Sequence, residues 1–334
     1  WYDSRANHPT RSEYRLYFPS TPVSELARAG DTLFIAKRTD GTVMVIITPA
    51  GSTMQNQLLW LFGLDDQPTL RFEAQQVQGD ASAELDFAAR FILDELGIEA
   101  VEPEADRLDA ILARFGVRFP TTREFSAFAR ESLPEIDARD DPDAVLMAWI
   151  EREEQLFRRL ERHLVADRLK AGFAAGEDAD VDGFLAFSLS VQNRRKARAG
   201  QSLENHLEAL FMARGIVFGR GVETENRNKP DFLFPGAAAY RDPAFPASRL
   251  TMLGAKSTCK DRWRQVLSEA ARIEDKHLLT LEPGISENQT DEMQAKRLQL
   301  VLPSRLHGTY RPSQQGWLMT LASFLQLVER RQAG

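Results

Sequence analysis

Three ionisable side chains lie where apolar segments could hold them rigidly. Asp231 opens the run "DFLF", Lys256 closes the run "LTMLGAK", and Glu269 follows within "RWRQVLSEA". If these segments are strand, strand and helix, an acid, a cation and a second acid are arranged across neighbouring elements. Two converging carboxylates can hold Mg²⁺, a hard ion that prefers oxygen ligands, and the metal can polarise a phosphodiester and lower the pKa of bound water. A lysine beside them orients the nucleophile or neutralises charge building on the phosphate. That combination cuts nucleic acid. Taken singly, each residue has a blander reading, because Asp is common at strand starts and a Glu on an amphipathic helix is usually solvated.

The elements that must position these residues follow from the apolar pattern. The runs "DTLFIAKR" and "TVMVIITP" flank "TDG", so Asp31 to Pro49 reads as a hairpin around an Asp-Gly turn. "NQLLWLFGL", Asn56 to Leu64, fits a short helix or a strand ending at Gly63. From about Asp80 to Ala175 apolar residues recur at three- and four-residue spacing in "AELDFAARFILDELG", "TREFSAFARES" and "AVLMAWIEREEQLFRRLERHLVADRL", which predicts scaffold helices, the second capped at Thr122. From Asp182 onward the pattern alternates. Helices "DGFLAFSLSVQNRRKAR" and "SLENHLEALFMARG" precede strands "PDFLFP" and "RLTMLGAK", then a helix "RWRQVLSEAARIEDK" and strands "HLLTLE" and "LQLVLP". Such alternation implies an α/β sheet with mixed pairing.

Composition narrows the class. The chain has 334 residues, 43% of them hydrophobic, enough for a substantial core and two domains. It reads as a soluble globular protein, since no run approaches the roughly 18 to 20 apolar residues of a membrane span. A single cysteine, Cys259, excludes an internal disulfide framework and fits a reducing cytoplasm, and the five histidines lack zinc-ligand spacing. The net charge of −7 argues against indiscriminate nucleic-acid affinity, yet "NRRKARAG" and "KDRWR" are locally basic, so a basic face on an acidic protein is allowed. The first residue is Trp rather than Met, so a fragment or processed product is expected.

The segments "NRRKARAGQSLENHLEALF", "KPDFLFP", "AKSTCKDRWRQVLSEA", "HLLTLEPGISE" and "LVLPSRLH" closely resemble the EcoRII-type restriction endonucleases, members of the PD-(D/E)XK nuclease superfamily. The resemblance runs in order from about Phe119 to the end. It implies an α/β restriction-endonuclease-like core, a mixed central sheet flanked by helices, over residues 101–334 with a helical lead-in. Residues 1–100 would form a strand-rich domain, part of the DNA-binding pseudobarrel that in such enzymes binds an additional copy of the target and restrains the nuclease. "WYDSRANHPTRSEYRLYF" carries that likeness, with Arg5, Arg11 and Arg15 either DNA contacts or surface cations.

The superfamily pattern puts Asp231 and Lys256 on adjacent strands and expects an acid two positions before the lysine. That position is Gly254. In the resembling family a helix glutamate takes the role, and Glu269 matches it. Glu204 matches an additional acid on the preceding helix, with Glu208, one turn on, as competitor. Tyr240, as a further catalytic candidate, and Lys196, as a DNA-binding candidate, occupy family-like positions near the site. Residues just after the lysine contact the major groove in this family, which maps onto Lys260, Asp261 and Arg262, with Arg264 a phosphate or base contact. Arg suits guanine and a carboxylate suits cytosine N4, so the triplet fits C and G pairs.

The resemblance therefore implies a Mg²⁺-dependent type II enzyme, cytoplasmic and homodimeric, that hydrolyses double-stranded DNA at a short site of the CCWGG type, W being A or T. A cognate DNA methyltransferase is implied in the same system, not as a physical partner. A catalytically silent DNA-binding protein retaining the fold is the alternative. A helical adaptor built on residues 80–175 is a third reading, and it leaves "TCKDRWRQ" unexplained.

Overall fold

The structure is a computed structural model that describes residues 20–38, 40–64, 86–98, 108–175, 178–259 and 262–333, with short pieces at 2–3, 10 and 14–15. Lys260 and Asp261 lie outside the described residues, as do Arg5 and Arg11, and of Arg15 only the backbone is described.

The N-terminal hairpin forms as the pattern predicts. Strands β1 (Thr32–Lys37) and β2 (Val43–Thr48) pair antiparallel, with Lys37 opposite Val43. Asp40 Oδ1 accepts the Thr42 amide at 2.8 Å and its hydroxyl at 2.6 Å, and Gly41 takes φ +83°, a conformation open to glycine without a Cβ clash. The segment that fitted helix or strand is helix α1 (Thr53–Leu61), capped by Ser52 and followed by Gly63 at φ +61°. Its Leu58 and Leu59 join Phe34 and Ile92, from α2 (Phe87–Glu95), in a small core. The polar side of α1 docks on the C-terminal half of the chain. Gln57 Nε2 donates to the Pro283 carbonyl at 2.9 Å, Thr53 Oγ1 accepts the Ser286 amide at 3.1 Å, and the Arg311 guanidinium reaches Asn56 Oδ1 at 3.0 and 3.2 Å.

Helices α3 (Leu108–Phe115), α4 (Thr122–Glu131), α5 (Pro142–Ala171) and α6 (Val181–Ala213) make the lead-in. The α4 cap is Thr121, one residue earlier than the pattern suggested, because Thr121 and Glu124 form a reciprocal capping box that Thr122 cannot make. The two helices expected between Asp182 and Gly215 are one helix of 33 residues that passes through Gly200. Beyond Gly200, Leu203, Leu207, Leu210 and Phe211 are fully buried. Burial at about 1.5–3 kcal/mol per large apolar side chain outweighs the roughly 1 kcal/mol that a helical glycine costs. Between α4, α5 and α6 lies a buried charged cluster, in which Arg198 pairs with Glu153 and the fully buried His206 places Nε2 2.9 Å from Glu153 and Nδ1 3.1 Å from Arg130. Burial pushes the His206 pKa down against the raising effect of Glu153, and because a guanidinium can only donate, Nδ1 accepts from Arg130.

The five-stranded sheet has the order β7-β6-β5-β4-β3, where β3 is Gly219–Arg220, β4 Phe232–Phe234, β5 Thr251–Lys256, β6 Lys276–Thr280 and β7 Leu298–Val301. Strands β5, β6 and β7 run parallel, and β4 and β3 are added antiparallel. Strand side chains alternate between faces. Phe232, Phe234, Leu253 and Ala255 pack with the apolar stripe of α6, with Val145 and Leu146 of α5, and with α10 (Leu321–Ala333). Leu233, Met252 and Leu278 pack on the other face with α8 (Trp263–Val266) and Met293 of α9 (Glu287–Ala295). Helix α7 (Ala237–Arg241) follows β4. Helices α5 and α6 thus form a layer on one face of the sheet. Among the described residues no helix is long and apolar enough to cross a membrane.

Candidate active site

One end of the sheet gathers the chemistry. Asp231 stands at the start of β4, Lys256 at the end of antiparallel β5, and Arg220 at the end of β3, so all three emerge on the same edge. Lys256 Nζ donates to Asp231 Oδ2 at 2.7 Å, and the same oxygen accepts the Ala255 amide at 2.7 Å. Both side chains are about four-fifths buried, with 19% and 15% of their surfaces exposed. The ion pair is therefore held by the sheet ladder instead of floating in solvent.

Glu269 reaches this edge by a different route from the one its sequence suggests. The expected helix from Arg262 to Lys276 is only the single turn of α8, and Glu269 sits on the bend that follows, its amide bonded to the Val266 carbonyl at 3.1 Å. Ala270 then adopts φ +48° and turns the chain back toward β6. Val266, Ala270 and Ile273 are all buried in one cluster, so a bend satisfies the apolar spacing that suggested a helix. Burial pushes the Glu269 carboxyl up to about 7; Lys256 opposes the rise and Asp231 adds to it. Its Oε2 is buried without a hydrogen-bond partner.

Glu204 of α6 faces the same centre. Burial raises its pKa, and the Asp231 charge raises it further against Arg220 and Lys256. Arg220, which sequence reasoning missed, donates to Glu204 Oε2 through Nε at 3.1 Å and Nη2 at 2.9 Å, and through Nη1 to Asn205 at 2.9 Å and Glu208 at 2.6 Å. Glu208, the competing acid, is also paired with Arg123 of α4. No sequence signal marks Arg220, because its partners lie a loop away on α6.

The remaining candidates are less concentrated. Tyr240 is buried on α7, and its hydroxyl donates to Glu225 Oε2 at 2.6 Å. Lys196 is exposed on α6, two helical turns before Glu204. Arg262 is exposed, and its Nη2 donates to the Thr258 carbonyl at 3.0 Å and hydroxyl at 2.7 Å. Arg264 pairs with Glu292 at 2.8 Å and stacks on the Trp263 ring.

Among the described residues no group of three or more His, Cys, Asp and Glu side chains is drawn together as a metal cage. The oxygen donors nevertheless suit a hard cation. Asp231 and Glu269 offer carboxylates, the Asp231 charge raises the Glu269 pKa, and Glu269 keeps an orphaned buried oxygen.

A mixed sheet flanked by helices is the restriction-endonuclease fold, and solved structures agree. A metal-depleted Ecl18kI in complex with uncleaved, modified DNA superposes with TM-score 0.55 at 19% identity, covering 67% of this chain and 83% of that one. A PspGI–substrate DNA complex gives TM-score 0.52 at 14% identity, covering 64% and 94%. Residues 157–325 match the family described as EcoRII C terminal. The chain belongs to that family. It is 43% identical over 210 residues to the type II restriction enzyme EcoRII of Escherichia coli, and spans 63% of its own length and half of that relative's in doing so.

Proposed function

We propose that this chain is a Mg²⁺-dependent type II restriction endonuclease that hydrolyses double-stranded DNA, as a homodimer, at a short C/G-flanked site of the CCWGG type. The observation that carries the reading is the meeting of Asp231, Lys256 and Glu269 at one sheet edge, with a Glu269 oxygen buried and unpartnered. Family membership supports the chemistry, and solved structures of similar fold in complex with DNA support the substrate class. A palindromic site read by a twofold protein supports the dimer.

Asp231 and Glu269 would hold Mg²⁺, which when bound polarises the scissile phosphate and lowers the pKa of its water. Lys256, fixed at 2.7 Å from Asp231, keeps its ammonium at the sheet edge, where it offsets charge gathering on the phosphate oxygens and orients the attacking water. Glu204, clamped by Arg220, supplies a further carboxylate facing Asp231. The test is digestion of a sequenced plasmid with and without Mg²⁺, followed by mapping of the ends. Cuts at one recurrent short sequence are expected, whereas random nicks or no cleavage would refute site-specific hydrolysis.

Base reading is assigned to the segment after Lys256. The Arg262 guanidinium is already braced on Thr258, so little ordering remains when it meets a base. If it is bidentate to guanine, Arg262→Ala loses about 1–3 kcal/mol of discrimination at one base pair. A phosphate contact would weaken all sequences alike. Binding to cognate, single-base-changed and random duplexes at fixed salt separates the two, with Arg264→Ala expected to act uniformly. An unchanged cognate-to-random ratio in Arg262→Ala would move recognition elsewhere.

A further inference from the structure

We infer that Glu225, Tyr240 and Lys276 are positioning residues that lock the bend carrying Glu269, and that the site's affinity for a divalent cation depends on them. The inference rests on the metal-dependent reading above and extends it to Glu225 and Lys276, which have no place in the active-site pattern, and to Tyr240, whose family-like position it gives a positioning role.

The bend is not a helix, so its backbone groups need partners from outside, and side chains supply them one after another. Asn228 Nδ2 donates to the Ser268 carbonyl at 2.8 Å, and Thr224 Oγ1 accepts the Ala270 amide at 3.4 Å. Glu225 Oε2 accepts the Ala271 amide at 3.1 Å, and the Tyr240 hydroxyl accepts the Arg272 amide at 3.3 Å while donating to Glu225 at 2.6 Å. The buried Lys276 ammonium donates to the carbonyls of Ile273 at 2.7 Å and Ala270 at 3.5 Å. Ala270 is held at φ +48°, a left-handed conformation that is unfavourable for a non-glycine residue. Such a conformation persists only where its surroundings over-determine it. The strained residue adjoins Glu269, whose carboxylate none of these bonds engages. The frame therefore fixes the backbone and leaves the side chain free for a ligand, the arrangement by which outer residues set the affinity of a metal site.

The geometry supplies its own control. Tyr240 and the Ala271 amide both bond the same oxygen of Glu225, so an amide oxygen can replace it and Glu225→Gln should restore what Glu225→Ala loses. Tyr240→Phe removes only the hydroxyl and keeps the ring packed in its cluster.

The experiment uses the full chain bound to a cognate duplex and measures Mn²⁺ binding by paramagnetic resonance, beside metal-free DNA affinity and the Mg²⁺ concentration that half-saturates cleavage. In Glu225→Ala and Tyr240→Phe, Mn²⁺ affinity should fall about tenfold, the half-saturating Mg²⁺ should rise by the same factor, and metal-free DNA affinity should stay within about twofold. Glu225→Gln should recover most of the loss. Unchanged Mn²⁺ affinity in both variants overturns the inference, and so does a parallel loss of metal-free DNA binding, which would mark a general loosening. If Glu225→Ala does not fold, Tyr240→Phe decides alone. Glu269→Gln separates the two readings: normal Mn²⁺ binding in it defeats the metal site itself, whereas a loss there without one in the frame variants defeats only the frame.

Discussion

Asp231→Asn and Glu269→Gln should each slow cleavage at saturating Mg²⁺ by on the order of 10³-fold or more, while specific DNA binding without metal stays within a few-fold. Both changes keep side-chain shape and remove the charge that a divalent cation needs. The Asn oxygen can still accept the Ala255 amide and the Lys256 ammonium, so the sheet edge survives and the loss reports on chemistry. Single-turnover rates on a one-site duplex measure it. Glu204→Gln is expected to be milder, about tenfold, because that carboxylate is already paired with Arg220. A Glu269→Gln enzyme that cleaves within tenfold of the parent would remove Glu269 from the site.

Gly254→Glu, which would rebuild the acid two positions before Lys256, should destabilise the fold by about 3 kcal/mol or more and fail to rescue Glu269→Ala. A Cβ at Gly254 would stand 3.0 and 3.3 Å from the two methyl carbons of Val266 and 3.4 Å from Leu278, so even alanine crowds a packed face. Overpacking alone costs about 1–3 kcal/mol, and an unpaired carboxylate buried among these side chains adds a further penalty. Denaturant titration of the single variant and cleavage by the double variant test the two halves. A Gly254→Glu, Glu269→Ala protein that folds and cuts well would show that the position accepts an acid after all.

That crowding explains why one part of the site was legible and another was not. The glycine is visible in the sequence as a departure from the expected acid, but its cause, Val266 and Leu278 filling the space, is a packing fact across three elements. Asp231 and Lys256 were readable because each terminates a short apolar run, and strands begin and end where such runs do. The setting of Glu269 misled because Val266, Ala270 and Ile273 carry helical spacing, and burial alone does not distinguish a helix from a bend that buries the same three side chains. Gly200 misled in the opposite direction, as local propensity suggested a break that the buried stripe of α6 overrides. Arg220, Glu225 and Lys276 carry no local mark, since their meaning lies in partners on other segments. Of the recognition segment, Arg262 and Arg264 are placed and Lys260 and Asp261 lie outside the described residues.

Asp231 Oδ2 accepts a main-chain amide of β5 as well as the lysine at that strand's end. The carboxylate is thus a rung of the ladder between β4 and β5, in the middle of a five-stranded sheet. Displacing the Asp231 carboxylate means breaking its bond to the Ala255 amide as well as its pairing with Lys256, so it is held more firmly than an acid on a fluctuating loop. In hydrogen-exchange terms the Ala255 amide is expected to be protected for as long as Asp231 stays in place. On the function proposed above, the pair would be assembled before any DNA arrives, leaving the ion and the water for substrate to organise.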